Sequence, residues 1–138
     1  MQFPVDSLNW EVKIKKGGMM AKEVCDYVMI KDGKFGLKID ETKTLEFDLP
    51  ADVRKMCHSV LMYLCDPLQN ALNLKYKVEI NGKEADRGTL SSGVPRSIHE
   101  AIQKNRLKHG KNTLTFKVNS GTGKVYFSDI ILFYKRSV

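Results

Sequence analysis

Glycine-rich backbone ahead of a lysine can cradle a phosphate, and Gly121-Thr122-Gly123-Lys124 offers that pairing. The full pattern needs a glycine five residues before Gly123, a Ser or Thr after Lys124, and a following helix. Val118 and Val125 stand at those positions, so the segment reads as a hairpin between the last two strands. Cys57-His58 pairs a thiol with an imidazole, but sequence neighbours on a strand point to opposite faces and cannot exchange a proton. His58, His99 and His109 share no metal-ligand interval with one another or with a cysteine or carboxylate pair. Ser91-Ser92-Gly93 fits a loop rather than a nucleophile elbow. The carboxylates Asp40-Glu41 and Glu84/Asp86 fall at turn positions, where water solvates them. Cys25, Cys57 and Cys65 are odd in number and lack a CxxC interval, so they read as small buried hydrophobes of a reducing compartment. These residues imply no enzyme and no metal centre, which leaves binding as the chemistry to look for.

An aromatic face with a few convergent charges makes an ordinary sugar site, and Trp10, Arg87 and Arg96 are the candidates for it. Trp10 shares parity with Val12 and Ile14, so a core placement competes with ligand stacking. Tyr27, Tyr63 and Tyr126 read as packed residues. Charge gives a second candidate. The net charge is +7; residues 1–100 hold 15 basic and 15 acidic side chains, and residues 101–138 hold eight basic side chains against Asp129 alone. Lys104, Lys108, Lys111, Lys117 and Lys124, with Arg106, Lys135 and Arg136, are therefore candidates for a polyanion or nucleic acid, whose affinity would fall steeply with salt. The competing reading is that lysines keep sheet edges from pairing. Aromatics do not interleave with these lysines as single-strand binders require.

Positioning these groups falls to β-strands. Apolar and polar residues alternate in Trp10–Lys15, Phe35–Asp40, Leu45–Leu49, Leu74–Ile80 and Leu114–Val118, each a strand with one wet face. Val60–Cys65 is apolar throughout and is expected at the centre, covered on both sides. Val24–Ile30 and Val125–Tyr134 complete a set of about eight. Asp32-Gly33 and Asn81-Gly82 suit tight hairpins. The parity of Val125 and Phe127 differs from that of Ile130, Leu132 and Tyr134, which predicts a bulge at Ser128-Asp129. Pro95, the spacing of Ile98, Ala101 and Ile102, and the stop signal Gly110 predict a short helix near 95–107. Asp52–Met56 suggests one further helical turn. With 138 residues, 42% of them hydrophobic and 28% charged, one globular domain over 1–138 is expected. No apolar run approaches the ~20 residues of a membrane-spanning helix.

Such strands imply an all-β, two-sheet antiparallel sandwich, a jelly roll. Leu107-Lys108-His109-Gly110-Lys111-Asn112-Thr113-Leu114-Thr115-Phe116 resembles the approach to a late strand in galactose-binding-like jelly rolls, the superfamily of many carbohydrate-binding modules. Tyr76–Gly82 is similar to their V-x-V-N-G hairpin, and Val125–Tyr134 to their closing strand. The resemblance spans roughly residues 74–138, and the residues that carry it are structural. Gly110 lets the chain reverse, Asn112 bonds turn backbone, and Leu114 and Phe116 fill the sandwich. It implies a non-enzymatic module for a carbohydrate or other small polar ligand at a loop-lined tip. Many members hold a structural calcium, for which Asp129 is the only acid near the C-terminal location. The alternatives are the polyanion binder and a structural subunit of a phage or surface particle. Met1–Asp6 has neither a basic start nor an apolar stretch, so a cytoplasmic protein or a domain excised from a longer secreted one is expected.

Overall fold

The computed structural model describes residues 11–16, 19–91 and 93–137, with side chains from Glu23 onward. Trp10 lies outside the described residues. Nine strands are described: β1 (Glu11–Lys16), β2 (Met19–Leu37), β3 (Thr42–Leu49), β4 (Ser59–Pro67), β5 (Leu72–Ile80), β6 (Lys83–Leu90), β7 (Arg96–Ile102), β8 (Gly110–Thr122) and β9 (Val125–Ser137). They form a five-stranded sheet, β1-β2-β9-β4-β7, and a four-stranded sheet, β3-β8-β5-β6, and the pairing within both is antiparallel. The expected all-β jelly-roll sandwich is present.

Alternation fills the space between the sheets. Leu61, Tyr63 and Cys65 of β4, Leu74, Val78 and Ile80 of β5, Leu114 and Phe116 of β8, and Phe127, Ile130 and Leu132 of β9 are wholly buried. Aromatic rings form the centre, with Phe116 and Phe127 centroids 4.6 Å apart and Tyr63 edge-on to Phe116 at 5.3 Å. Asn81 and Gly82 take φ of 50° and 82° and close the tight β5–β6 hairpin. Asp129, at φ 51°, forms the bulge that reconciles the two parities of β9. Gly110 takes φ 78°, and the wholly buried Asn112 ties the loop before β8: its Oδ1 accepts from Lys108 N at 2.9 Å, and its Nδ2 donates to Lys108 O at 2.8 Å. Asn81 Nδ2 also donates to Asn112 Oδ1 at 2.9 Å, which pins the β5–β6 hairpin to that loop.

Five expectations are corrected. The segment expected as a helix near 95–107 is strand β7, which pairs Ile98 with Tyr63 and Ile102 with Ser59 along the edge of β4. Ile98 and Ile102 are four apart and share a face in either conformation, so the open edge of β4 decides between them. Ala101, which a helix would bury, is exposed. Asp32-Gly33 is no hairpin: β2 runs straight through it, because the thirteen-residue β9 offers a continuous partner and register shifts at Met29/Lys31 and Lys31/Lys34 absorb the misfit. Asp52–Met56 forms turns around a single bridge, Val53 to Arg136. Val60–Cys65 is central but covered on one side only, with Val60 and Leu64 each 40% exposed. The turn at Gly121–Lys124 joins strands in different sheets, so it is a corner and not a hairpin. Gly121 and Gly123 take φ of 98° and 94°, and a Cβ on either would stand 2.6 Å from a backbone Cα of Leu74 or Ala71.

Candidate functional site

Strand β5 sends Leu74, Tyr76, Val78 and Ile80 inward and turns Lys75, Lys77 and Glu79 to solvent. On β6, residues three apart would face opposite ways in a regular strand. Here Val78 pairs with Asp86 and Glu79 with Glu84, so Ala85 is an extra residue and Glu84 and Arg87 share the outer face. The Arg87 guanidinium grips Glu84 through both oxygens, Nε at 2.7 Å and Nη2 at 2.9 Å, and holds that carboxyl below its ordinary range. Strand β8 adds Lys117 and Asn119. Together these strands border a cleft of ≈ 410 Å³ lined by Lys75, Lys77, Glu84, Arg87, Thr89 and Asn119, with Tyr76 and Gly88 completing the wall. Glu79 lies beside it, one oxygen 3.4 Å from Lys77 Nζ and the other 3.5 Å from Lys117 Nζ.

A buried polar chain runs inward behind the cleft. Tyr63 OH donates to Asp86 Oδ2 at 2.6 Å, and its oxygen accepts from Tyr76 OH at 2.8 Å. Asp86 Oδ1 accepts from the Arg87 backbone N–H at 2.7 Å. Burial, above all, pushes both phenols far above their ordinary range and the Cys65 thiol up to about 11, so all three stay neutral. The Glu84/Asp86 pair expected at a turn therefore belongs to strand β6, with one carboxylate outside and one reaching the core. On β7, burial and then the Asp86 charge raise the carboxyl of Glu100. None of these groups forms a nucleophile with a base. Cys57 Sγ lies 3.7 Å from Glu23 Oε2, while His58 Nδ1 donates to Ile102 O at 3.2 Å. Among the described residues no three His, Cys, Asp or Glu side chains converge as metal ligands.

The outer face of the five-stranded sheet is different. Tyr27 pairs with Phe133 and Phe133 with Val60; in the next row Met29 pairs with Ile131 and Ile131 with Met62. Tyr27 is 61% exposed, which corrects its reading as a packed residue, and Cys25 is exposed too. Tyr63 is packed, as expected. Tyr126 is half-buried, with Lys34 Nζ 4.7 Å and Lys124 Nζ 5.1 Å from its ring centroid.

No protein-family model matches the sequence, and no curated protein matches it. Solved structures do. The chain superposes on dimeric latent PorU from Porphyromonas gingivalis with TM-score 0.63 at 13% identity, over 82% of this chain and 13% of that one. The β-porphyranase BpGH86A, of glycoside hydrolase family 86 from Bacteroides plebeius, gives TM-score 0.59 at 17% identity, over 83% and 21%. The insecticidal delta-endotoxin Cry8Ea1 from Bacillus thuringiensis gives 0.52 at 9% identity, over 76% and 19%. The likeness is one of fold. It agrees with the all-β two-sheet sandwich expected from the strand pattern, and this chain spans between 13% and 21% of those proteins.

The structure places the expected ligand residues unevenly. Arg87 lines the cleft. Arg96 begins β7, its Nη2 3.5 Å from Thr89 O, and so stands beside the cleft without lining it. Of the lysines proposed for a polyanion, Lys117 reaches the cleft through Glu79, and Lys111 pairs with Glu46 at 3.5 Å on β3, the far strand of that sheet. Lys104 and Lys108 lie in the loop before β8, and Lys124 sits at the corner before β9. Arg106 Nη2 meets Gln103 at 3.1 Å, and Arg136 bridges Asp26 and Asp52 at 3.0 and 3.2 Å. Sequence reasoning missed Lys75, Lys77, Thr89 and Asn119. The wet face of Leu74–Ile80 carried the signal for Lys75 and Lys77, since outward residues of a central strand must share a surface with those of its neighbours.

Proposed function

We propose that this chain is a non-catalytic binding module that holds a carbohydrate, or a small polar ligand of that kind, in the cleft over β5, β6 and β8. The observation that carries this reading is the convergence of Lys75, Lys77, Arg87, Glu84, Thr89 and Asn119 on one ≈ 410 Å³ depression. Hydroxyl-rich ligands need such a mixture of donors and acceptors. The cleft proposed here is on a sheet face, whereas the sequence suggested a loop-lined tip. The occurrence of the same fold as 21% of a β-porphyranase supports a carbohydrate ligand and a place as one domain of a longer protein. Calorimetric titration with a broad panel of oligosaccharides tests the reading. Binding that weakens in Asn119→Ala and Thr89→Ala is expected, and silence across the panel would overturn it.

A second reading, as an assembly subunit, is favoured by the apolar rows on the five-stranded sheet. Light-scattering mass across a concentration series discriminates: a monomer at all concentrations removes it. Polyanion binding along residues 104–124 is less favoured, because Lys111 and Lys117 are held in ion pairs with Glu46 and Glu79 and no aromatics interleave with these lysines.

A further inference from the structure

We infer that the cleft takes an acidic saccharide, with a carboxylate or sulfate group of the ligand seated at Lys75 and Lys77. This rests on the carbohydrate reading above. Four cations and two acids occupy the patch, and both acids are already satisfied. Glu79 divides its oxygens between Lys77 at 3.4 Å and Lys117 at 3.5 Å, and Glu84 is gripped bidentately by Arg87. Two positive charges are left over, and Lys75 makes no ion pair among the described residues. Register sets Lys75 opposite Thr89 on one side and Ser120 on the other, so its ammonium stands among neutral hydroxyl and amide groups suited to sugar hydroxyls. A net charge of +7 would draw an anionic ligand toward any such site.

The same cleft is poorly made for a nucleic acid. Its one aromatic, Tyr76, is 2% exposed, and its hydroxyl is spent on Tyr63. A Cβ at the facing Gly88 would stand 2.7 Å from that ring, so the ring lies close beneath the β6 backbone and offers no platform for a base. Among the other described basic residues, Arg54, Lys111 and Arg136 are held in ion pairs with Glu23, with Glu46 and with Asp26 and Asp52, not left as a free row for a phosphate backbone. A saccharide with spaced acidic groups needs neither.

The test is calorimetric titration of the full chain with four probes: an oligogalacturonate, a sulfated galactan oligosaccharide, an uncharged oligosaccharide of equal length, and a single-stranded oligonucleotide. At least one acidic saccharide is expected to bind about tenfold or more tightly than its uncharged counterpart, and the two acidic arms separate carboxylate from sulfate. Lys75→Glu should remove that preference, as should the milder Lys75→Gln, while Lys111→Glu, at the opposite end of β8 from Asn119, leaves it intact. Equal binding of charged and uncharged saccharides, both lost in Asn119→Ala, would overturn the acidic ligand while leaving the carbohydrate reading standing. Silence with every saccharide would overturn both. Tighter binding of the oligonucleotide than of any saccharide would also overturn the inference.

Discussion

On the outer face of the four-stranded sheet, Lys75, Lys77 and Glu79 of β5 meet Glu84 and Arg87 of β6 and Lys117 of β8. On the outer face of the five-stranded sheet, Tyr27, Met29, Val60, Leu64 and Phe133 stand 39% to 61% exposed. Both faces cover one core, and each alternates with inward side chains such as Val78 and Leu132. The difference shows that an apolar strand and a covered strand are separate things. Burial between the sheets stabilises the fold whatever the outward residues are, so those residues are free to serve a partner.

A cut through the shared core should damage both faces together. Phe116→Ala removes a wholly buried ring packed on Tyr63 and Phe127, and is expected to cost about 3–5 kcal/mol in chemical denaturation. A loss near 1 kcal/mol would mean that the faces are held independently. Asn112→Ala should come next, at about 1–3 kcal/mol, because it leaves Lys108 N and O unpaired and takes from Asn81 Nδ2 one of its two acceptors at the end of the four-stranded sheet.

The third effect lies at the open edge where β6 and β7 meet. Glu100 there faces Asp86 from β6, with Tyr63 of β4 and Tyr76 of β5 around that carboxylate. Its carboxyl lies above its ordinary 4.5 in the folded chain. The protonated form is therefore favoured by folding, and this contribution is present below about 4.5 and lost as pH rises through the raised folded value. Glu100→Gln should flatten that part of the stability profile, measured by thermal melts across mildly acidic pH; an unchanged slope would remove Glu100 as its source. The smallest effects belong to the two outer faces. Tyr27→Thr and Arg87→Gln should each change stability by about 1 kcal/mol or less, and only Arg87→Gln should weaken saccharide binding. A large stability loss from Tyr27→Thr would show that the apolar face is covered in solution.

Local patterns were legible in residues 74–82, where alternation gave β5 and Asn81-Gly82 gave its turn, and in residues 107–116, where Gly110 and Asn112 do what their types suggest. The parity change at Ser128-Asp129 marked the bulge of β9. Half of the cleft could be read in the same way, from the outward lysines of β5. The half on β6 could not, because the extra residue at Ala85 that brings Glu84 and Arg87 to one side becomes apparent only against the register of β5. Asp32-Gly33 misled for a related reason: a turn dipeptide states what the backbone tolerates, and the length of β9 decided that the chain runs on.

What the sequence determined by itself was the β character, the inward residues of most strands, the tight hairpin at Asn81-Gly82 and the bulge, because side-chain period and turn chemistry act over a few residues. Tertiary structure decided that residues 96–102 extend along β4, that the apolar run of β4 is covered on one side, and that Lys117 joins Lys75, Lys77 and Arg87 while the other basic residues disperse. Those outcomes depend on which strands become neighbours. Pairing between segments far apart in the chain is set by the whole core, and no single segment carries it.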